Sequence, residues 1–145
     1  MTSTKSGHCL CGAVSVSVTD PVPGLGACHC GMCRRWTGSA MVTLAVPAAS
    51  MAITGLEHIR SYASSDWAAR SFCATCGSTL WYRMTGADAP DDYYMAAGLL
   101  DDLSGLRLDH EIYIDRKPDA FAFAGPTHQQ TEAQFLASIT ASPEE

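Results

Sequence analysis

Seven cysteines in three tight groups constrain this chain more than any other feature: Cys9-x-Cys11, Cys28-x-Cys30-x-x-Cys33 and Cys73-x-x-Cys76, with none in residues 77–145. Buried free thiols pack as small hydrophobes and have no reason to cluster. Disulfides leave one of an odd number unpaired, and a reducing compartment disfavours them. Metal ligation explains the grouping. Zinc–sulfur bonds of about 2.3 Å put tetrahedral sulfurs roughly 3.8 Å apart. Side chains two residues apart on a strand share a face and can lean together to that distance. A C-x-x-C pair reaches it by wrapping a turn, and Gly77 directly after Cys76 suits one.

Two such pairs make a closed tetrahedron. Cys9 and Cys11 with Cys73 and Cys76 is the natural combination, and it would tie distant strands together, so that binding energy becomes folding energy. The middle group offers three ligands within six residues. Three protein ligands leave one position of a tetrahedral zinc open, the pattern of a catalytic site. Spacing leaves an alternative, in which Cys28 and Cys30 pair with Cys73 and Cys76. The total of seven, four plus three, favours one closed site and one open site.

The rest of the sequence describes a small β-rich protein. The 145 residues, 47% of them hydrophobic, fit a single domain over residues 1–145. Val14, Val16 and Val18 alternate with Ser15 and Ser17, as in a half-buried strand. Further short strands are expected near residues 26–30, 40–46, 51–53, 58–62, 79–84, 93–97 and 111–114, separated by Gly, Pro, Asp and Ser turns. Thr127 and Gln130 suggest the capping box of one C-terminal helix within residues 127–145, with Phe135, Leu136 and Ile139 as its apolar stripe and Ser142–Glu145 fraying beyond it.

Charge and hydropathy exclude two partner classes. The formal charge is −6, and a four-thiolate and a three-thiolate zinc site together lower it by about three more units. Such an acidic chain is not expected to bind nucleic acid nonspecifically. No apolar run approaches the ~18 residues of a membrane helix. Residues 1–7 lack a leader's apolar stretch, so a soluble, cytoplasmic protein is expected.

Three segments carry a resemblance: Gly7-x-Cys9-x-Cys11-Gly12-Ala13-Val14; Cys28-His29-Cys30-x-x-Cys33-Arg34-x-x-Thr37-Gly38-Ser39; and Arg70-x-Phe72-Cys73-x-x-Cys76-Gly77. With weaker matches at residues 97–101 and 110–118, the chain resembles the glutathione-dependent formaldehyde-activating enzymes, a family that includes centromere protein V, over about residues 7–121. Phe121 and Phe123 stand where relatives often carry a tryptophan. The resemblance implies a mainly β, β-tent zinc fold of several short antiparallel strands with a short C-terminal helix. It implies a structural zinc on Cys9, Cys11, Cys73 and Cys76, and a catalytic zinc on Cys28, Cys30 and Cys33. That makes two ions per chain, the second being the candidate for a labile one. The implied activity is a carbon–sulfur lyase reaction on the glutathione adduct of formaldehyde, or on another thiol adduct of a small aldehyde.

Glutathione is an anion, so the acidic chain needs local cations to receive it. Arg34 and Arg35 follow the open site and suit carboxylates, although ordinary surface ion pairs explain them equally well. His29, between two ligands, is expected to point away from them, and His8 likewise. Arg70 either meets substrate or braces the closed site. Trp36 either lines the open site or simply packs, with packing favoured; Trp81, Tyr82, Tyr93 and Tyr94 are expected to pack in the core, and His110 has no assignable chemistry from sequence. The rival readings are a non-catalytic zinc-stabilised binding module and a thiol or metal sensor that loses its second zinc on oxidation.

Overall fold

The valine alternation at residues 14–18 builds one face of a small sheet. In the computed structural model, which describes residues 2–140 and side chains through residue 139, Val14, Val16 and Val18 are buried while Ser15 and Ser17 are half-exposed. The tail expected to fray, residues 142–145, lies outside the described residues. In chain order the strands are β1 (Thr4–His8), β2 (Ser15–Thr19), β3 (Gly24–Cys28), β4 (Met41–Pro47), β5 (Met51–Thr54), β6 (Ile59–Ser65), β7 (Ala68–Cys73), β8 (Thr79–Met84), β9 (Asp92–Ala96), β10 (Arg107–Ile112) and β11 (His128–Gln130). Helix α1 spans Gly31–Thr37 and α2 spans Glu132–Thr140. The fold is mainly β with a short C-terminal helix, as expected. No described helix is long and apolar enough to cross a membrane.

The described residues cluster into two compact units, one from Met1–Pro23 with Thr43–Leu106 and one from Gly24–Val42 with Arg107–Glu145. The first unit holds two antiparallel arrangements. β1, β2 and β5 form a three-stranded sheet, with Gly7 opposite Val16 and Val16 opposite Ile53. β4, β9, β8, β7 and β6 pair in that order, all antiparallel. Leu44, Val46, Leu80, Trp81 and Met95 form the buried core of this layer. Tyr82, Tyr93 and Tyr94, expected in the core, are only half-buried, and the guanidinium of Arg83 lies 4.0 Å from the Tyr93 ring centre. β1 is also held from its other side: the Asp101 N–H donates to the Ser6 carbonyl at 2.9 Å, and Gly7 bridges Leu100. This approach needs a residue without Cβ, because an added one would overlap the Leu99 carbonyl.

The second unit departs from the antiparallel expectation. β10 lies between β3 and β11, and both pairings are parallel. Its helix α1 was not foreseen beyond a turn at Cys33. It begins with Cys30 as N-cap and ends at Gly38 with φ +92°, a left-handed stop that suits glycine. The capping box of α2 is displaced by one turn from the expected pair. Thr131 Oγ1 accepts the Gln134 N–H at 3.1 Å, and Gln134 Oε1 accepts the Thr131 N–H at 2.8 Å. Thr127 instead serves the interior of the unit. The stripe on α2 is shallow: Phe135 and Leu136 are half-buried, and Ile139 is exposed.

Gly7→Ala is expected to cost about 2–3 kcal/mol, because backbone rather than a mobile side chain occupies the space. Thr131→Ala should cost about 1 kcal/mol through loss of the cap. Urea denaturation midpoints measured side by side would rank the two changes.

Candidate functional site

Two turns of the first unit bring four sulfurs together. Cys9 and Cys11 lie in the loop joining β1 to β2, not on a strand as the C-x-C spacing suggested. The Gly12 N–H closes this loop on the Cys9 carbonyl at 3.0 Å, and the Val14 N–H donates to Cys9 Sγ at 3.3 Å. Cys73 ends β7, and the following turn closes through the Gly77 N–H to the Cys73 carbonyl at 2.8 Å, with Gly77 at φ +81°. The Sγ separations are 3.6 Å for Cys9–Cys11 and 3.8 Å for Cys11–Cys73, and all four sulfurs lie within 4.8 Å of one another. Those distances match the edge of a zinc tetrahedron, roughly 3.8 Å.

The protons of these thiols are unevenly placed. Ser78 Oγ accepts the Leu10 N–H at 3.0 Å and donates to Cys76 Sγ at 3.1 Å, so it joins the two turns. Hydrogen bonds from Ser78, side chain first and then backbone, pull the Cys76 thiol down to about 5. At Cys11 the Ala13 N–H favours the thiolate, but burial and hydrogen bonds shared with Cys9, Cys76 and Cys73 outweigh it and push the thiol up to about 11. Four neighbouring sulfurs cannot all ionise unless a cation compensates them.

A strand end and a helix start supply the other three. Cys28 closes β3, Cys30 caps α1 and accepts the Cys33 N–H at 3.3 Å, and Cys33 is buried in the first turn. The expectation that Cys28 and Cys30 share one strand face is corrected here, because the strand ends at Cys28. The three sulfurs still lie within 4.8 Å of one another, and among the described residues no His, Asp or Glu joins them. Hydrogen bonding with Cys30 and Cys33, and then burial, push the Cys28 thiol up. None of the seven cysteines is in a disulfide. Donor type and spacing fit a metal such as zinc in both groups.

His29, directly after the end of β3, turns away from the sulfurs as expected. It is 2% exposed, and its Nε2–H donates to Glu111 Oε1 at 2.7 Å. Glu111 is itself buried, and its other oxygen accepts from Thr127 Oγ1 at 2.6 Å and from Gln129 Nε2 at 3.4 Å. One carboxylate thus ties the ligand-bearing segment to β10 and to the chain around β11. The His29 ring packs against Phe121 and Phe123, with ring centres 6.2 and 5.9 Å away and the two phenylalanines 6.3 Å from each other. Burial alone would raise the Glu111 carboxyl, but the hydrogen bonds from Thr127, His29 and Gln129 prevail and hold it below its ordinary value.

Other expected residues are placed as follows. Arg34 and Arg35 are exposed on α1, and among the described residues neither enters an ion pair. His8 is exposed beside Asp101 at 3.4 Å. Arg70 is buried in β7, with its guanidinium 5.1 Å from the Tyr82 ring centre. Tyr113 drew no attention in the sequence. It follows β10 with φ +57°, unusual for a bulky side chain. Burial first, then negative charge on Glu132, Cys30, Cys28 and Cys33, raise its phenol.

A sequence profile described as glutathione-dependent formaldehyde-activating enzyme matches residues 4–116. The chain belongs to that family. An uncharacterized lyase of Schizosaccharomyces pombe is 33% identical over 133 residues, which cover 92% of this chain and 95% of that protein. The crystal structure of a Rhodobacter sphaeroides protein matches with a TM-score of 0.55 and 26% identity, over 66% of this chain and 87% of that one. Family membership agrees with the resemblance carried by the cysteine motifs. Sequence reasoning missed Glu111 because nothing local marks a carboxylate whose partners lie 16, 18 and 82 residues away.

A group whose carboxyl is lowered by folding stabilises above its unfolded value and loses that contribution as pH falls through the folded one. Wild type should therefore lose stability as pH drops below about 4.5, the ordinary Glu value. Glu111→Gln should be less stable at pH 7 by about 1–3 kcal/mol and show a shallower acid limb, measured by denaturant titration at several pH values.

Proposed function

We propose that this protein is a zinc-dependent carbon–sulfur lyase acting on a thiol adduct of formaldehyde or another small aldehyde, with glutathione as the matching thiol. Cys28, Cys30 and Cys33 would hold the catalytic zinc, and Cys9, Cys11, Cys73 and Cys76 a structural one. The observation that carries this reading is the three-sulfur group itself. Its sulfurs converge, and the nearest histidine in sequence is committed to Glu111 instead. A purely structural zinc is normally closed by four protein ligands. Family membership and a relative named a lyase support the reaction class.

A zinc ion held by these cysteines would favour the thiolate form of a substrate thiol, the nucleophilic form. The chain's own residues supply the remainder. Arg34 and Arg35, exposed one and two residues beyond Cys33 on α1, would receive the carboxylates of glutathione as planar donors. The Tyr113 hydroxyl, whose phenol is raised by burial and then by negative charge on Glu132 and these cysteines, would be a further hydrogen-bond donor. Three thiolates make any bound cation a weak electrophile, so holding thiol and aldehyde together matters more than polarising the carbonyl.

Metal analysis with a thiol–aldehyde turnover assay tests the proposal. Wild type should carry about two zinc ions per chain, Cys30→Ser about one with the fold retained and turnover abolished, and Cys73→Ser should fold poorly. Equal behaviour of the two variants would remove the division of roles. Two firmly held zinc ions without turnover on any thiol–aldehyde pair would point to a binding module.

A further inference from the structure

A bulge in β10, between Leu108 and His110, sets two consecutive side chains against β3. Asp109 lies over Gly24 and His110 over Gly26. A Cβ on either glycine would overlap the carboxylate or the imidazole, so the Gly24-x-Gly26 pair is the floor on which this dyad rests. Asp109 Oδ1 accepts the His110 Nδ1–H at 2.6 Å. That bond fixes the tautomer and leaves Nε2 as an acceptor above Gly26.

The phase of β3 gives this pair its meaning. Gly24, Gly26 and Cys28 share one face of the strand, while Leu25 and Ala27 are buried on the other. The register puts His110 opposite Gly26 and Ile112 opposite Cys28. His110 therefore occupies the face of the Cys28 sulfur, one pleat repeat or about 6.6 Å back along the strand. Its side chain is 48% exposed, so it is open to small molecules from solvent.

We propose that His110 is the catalytic acid–base of the thiol–aldehyde reaction and that Asp109 positions it; this rests on the lyase reading above. His110 Nε2 takes the proton of the substrate thiol. The sulfur–carbon bond forms as the carbonyl π bond breaks and its electron pair moves to oxygen. The imidazolium then gives the same proton to that oxygen, which yields the hemithioacetal and restores the ring. Cleavage runs through the same transfers in reverse, with no oxidant or reductant consumed.

The test compares wild type, His110→Gln, His110→Ala and Asp109→Asn, each for zinc content, thiol–aldehyde kinetics and imidazole rescue. His110→Gln can still donate to Asp109 but cannot carry the proton. It should keep the wild-type zinc content and KM and lose about 100-fold in kcat. Asp109→Asn should lose about tenfold. Added imidazole should restore His110→Ala at least about tenfold, since the side chain it replaces is accessible. His110 variants that retain most of the wild-type kcat overturn the proposal, and so do variants whose lost activity follows lost zinc. If wild type turns over no thiol–aldehyde pair, the lyase reading fails and the role of His110 fails with it.

Discussion

Thiolate sulfurs packed within 4.8 Å of one another repel, and both cysteine groups are organised around that repulsion. Without a cation the cost is met by retained protons: Cys11 and Cys28 are pushed up while Ser78 draws Cys76 down. A divalent ion removes the conflict in one step, which couples metal binding to the order of the loops that present the sulfurs. In the second unit the coupling has little apolar bulk behind it. Leu25 and Met41 are the large aliphatic side chains among its buried described residues, beside the polar pair His29 and Glu111.

The parallel β3–β10 pairing explains how one short strand serves two environments. In-register residues of neighbouring strands share a face, so Ala27 and Glu111 look inward together, while Gly26 and His110 look outward. His29 continues the inward series and reaches the Glu111 carboxylate; Cys28 continues the outward one. The polar interior of the unit and the approach to its sulfurs are therefore set by a single register.

The sequence disclosed the parts of this arrangement whose signals are local. The cysteine spacings yielded both sulfur groups, and six strands lie within a residue or two of expectation where alternation or turn residues mark them, as at 15–19 and 79–84. β7 was missed because its run Ala68–Cys73 includes two buried polar residues, Arg70 and Ser71, that break the alternation. α1 was missed because cysteine is not a customary N-cap, although Gly38 already marked its end. The C-terminal helix was recognised but capped one turn early, since Thr127-x-x-Gln130 and Thr131-x-x-Gln134 carry the same signature and only the tertiary demand of Glu111 for the Thr127 hydroxyl distinguishes them. Parallel pairing, the bulge at Leu108/His110 and the Glu111 hub are long-range facts with no local mark.

The bulge has one more implication, and it concerns parity. Upstream of it, β10 and β3 are in step with one offset, Leu108 opposite Leu25; downstream they keep another, His110 opposite Gly26. Carrying the upstream offset through every residue would give an unbroken ladder, and a regular ladder is ordinarily the safer design. Here it would set His110 opposite Ala27 and Glu111 opposite Cys28, exchanging inside for outside along the whole distal half of the strand. Any pleat sends consecutive side chains to opposite sides; the irregularity decides that the carboxylate goes inward and the imidazole outward.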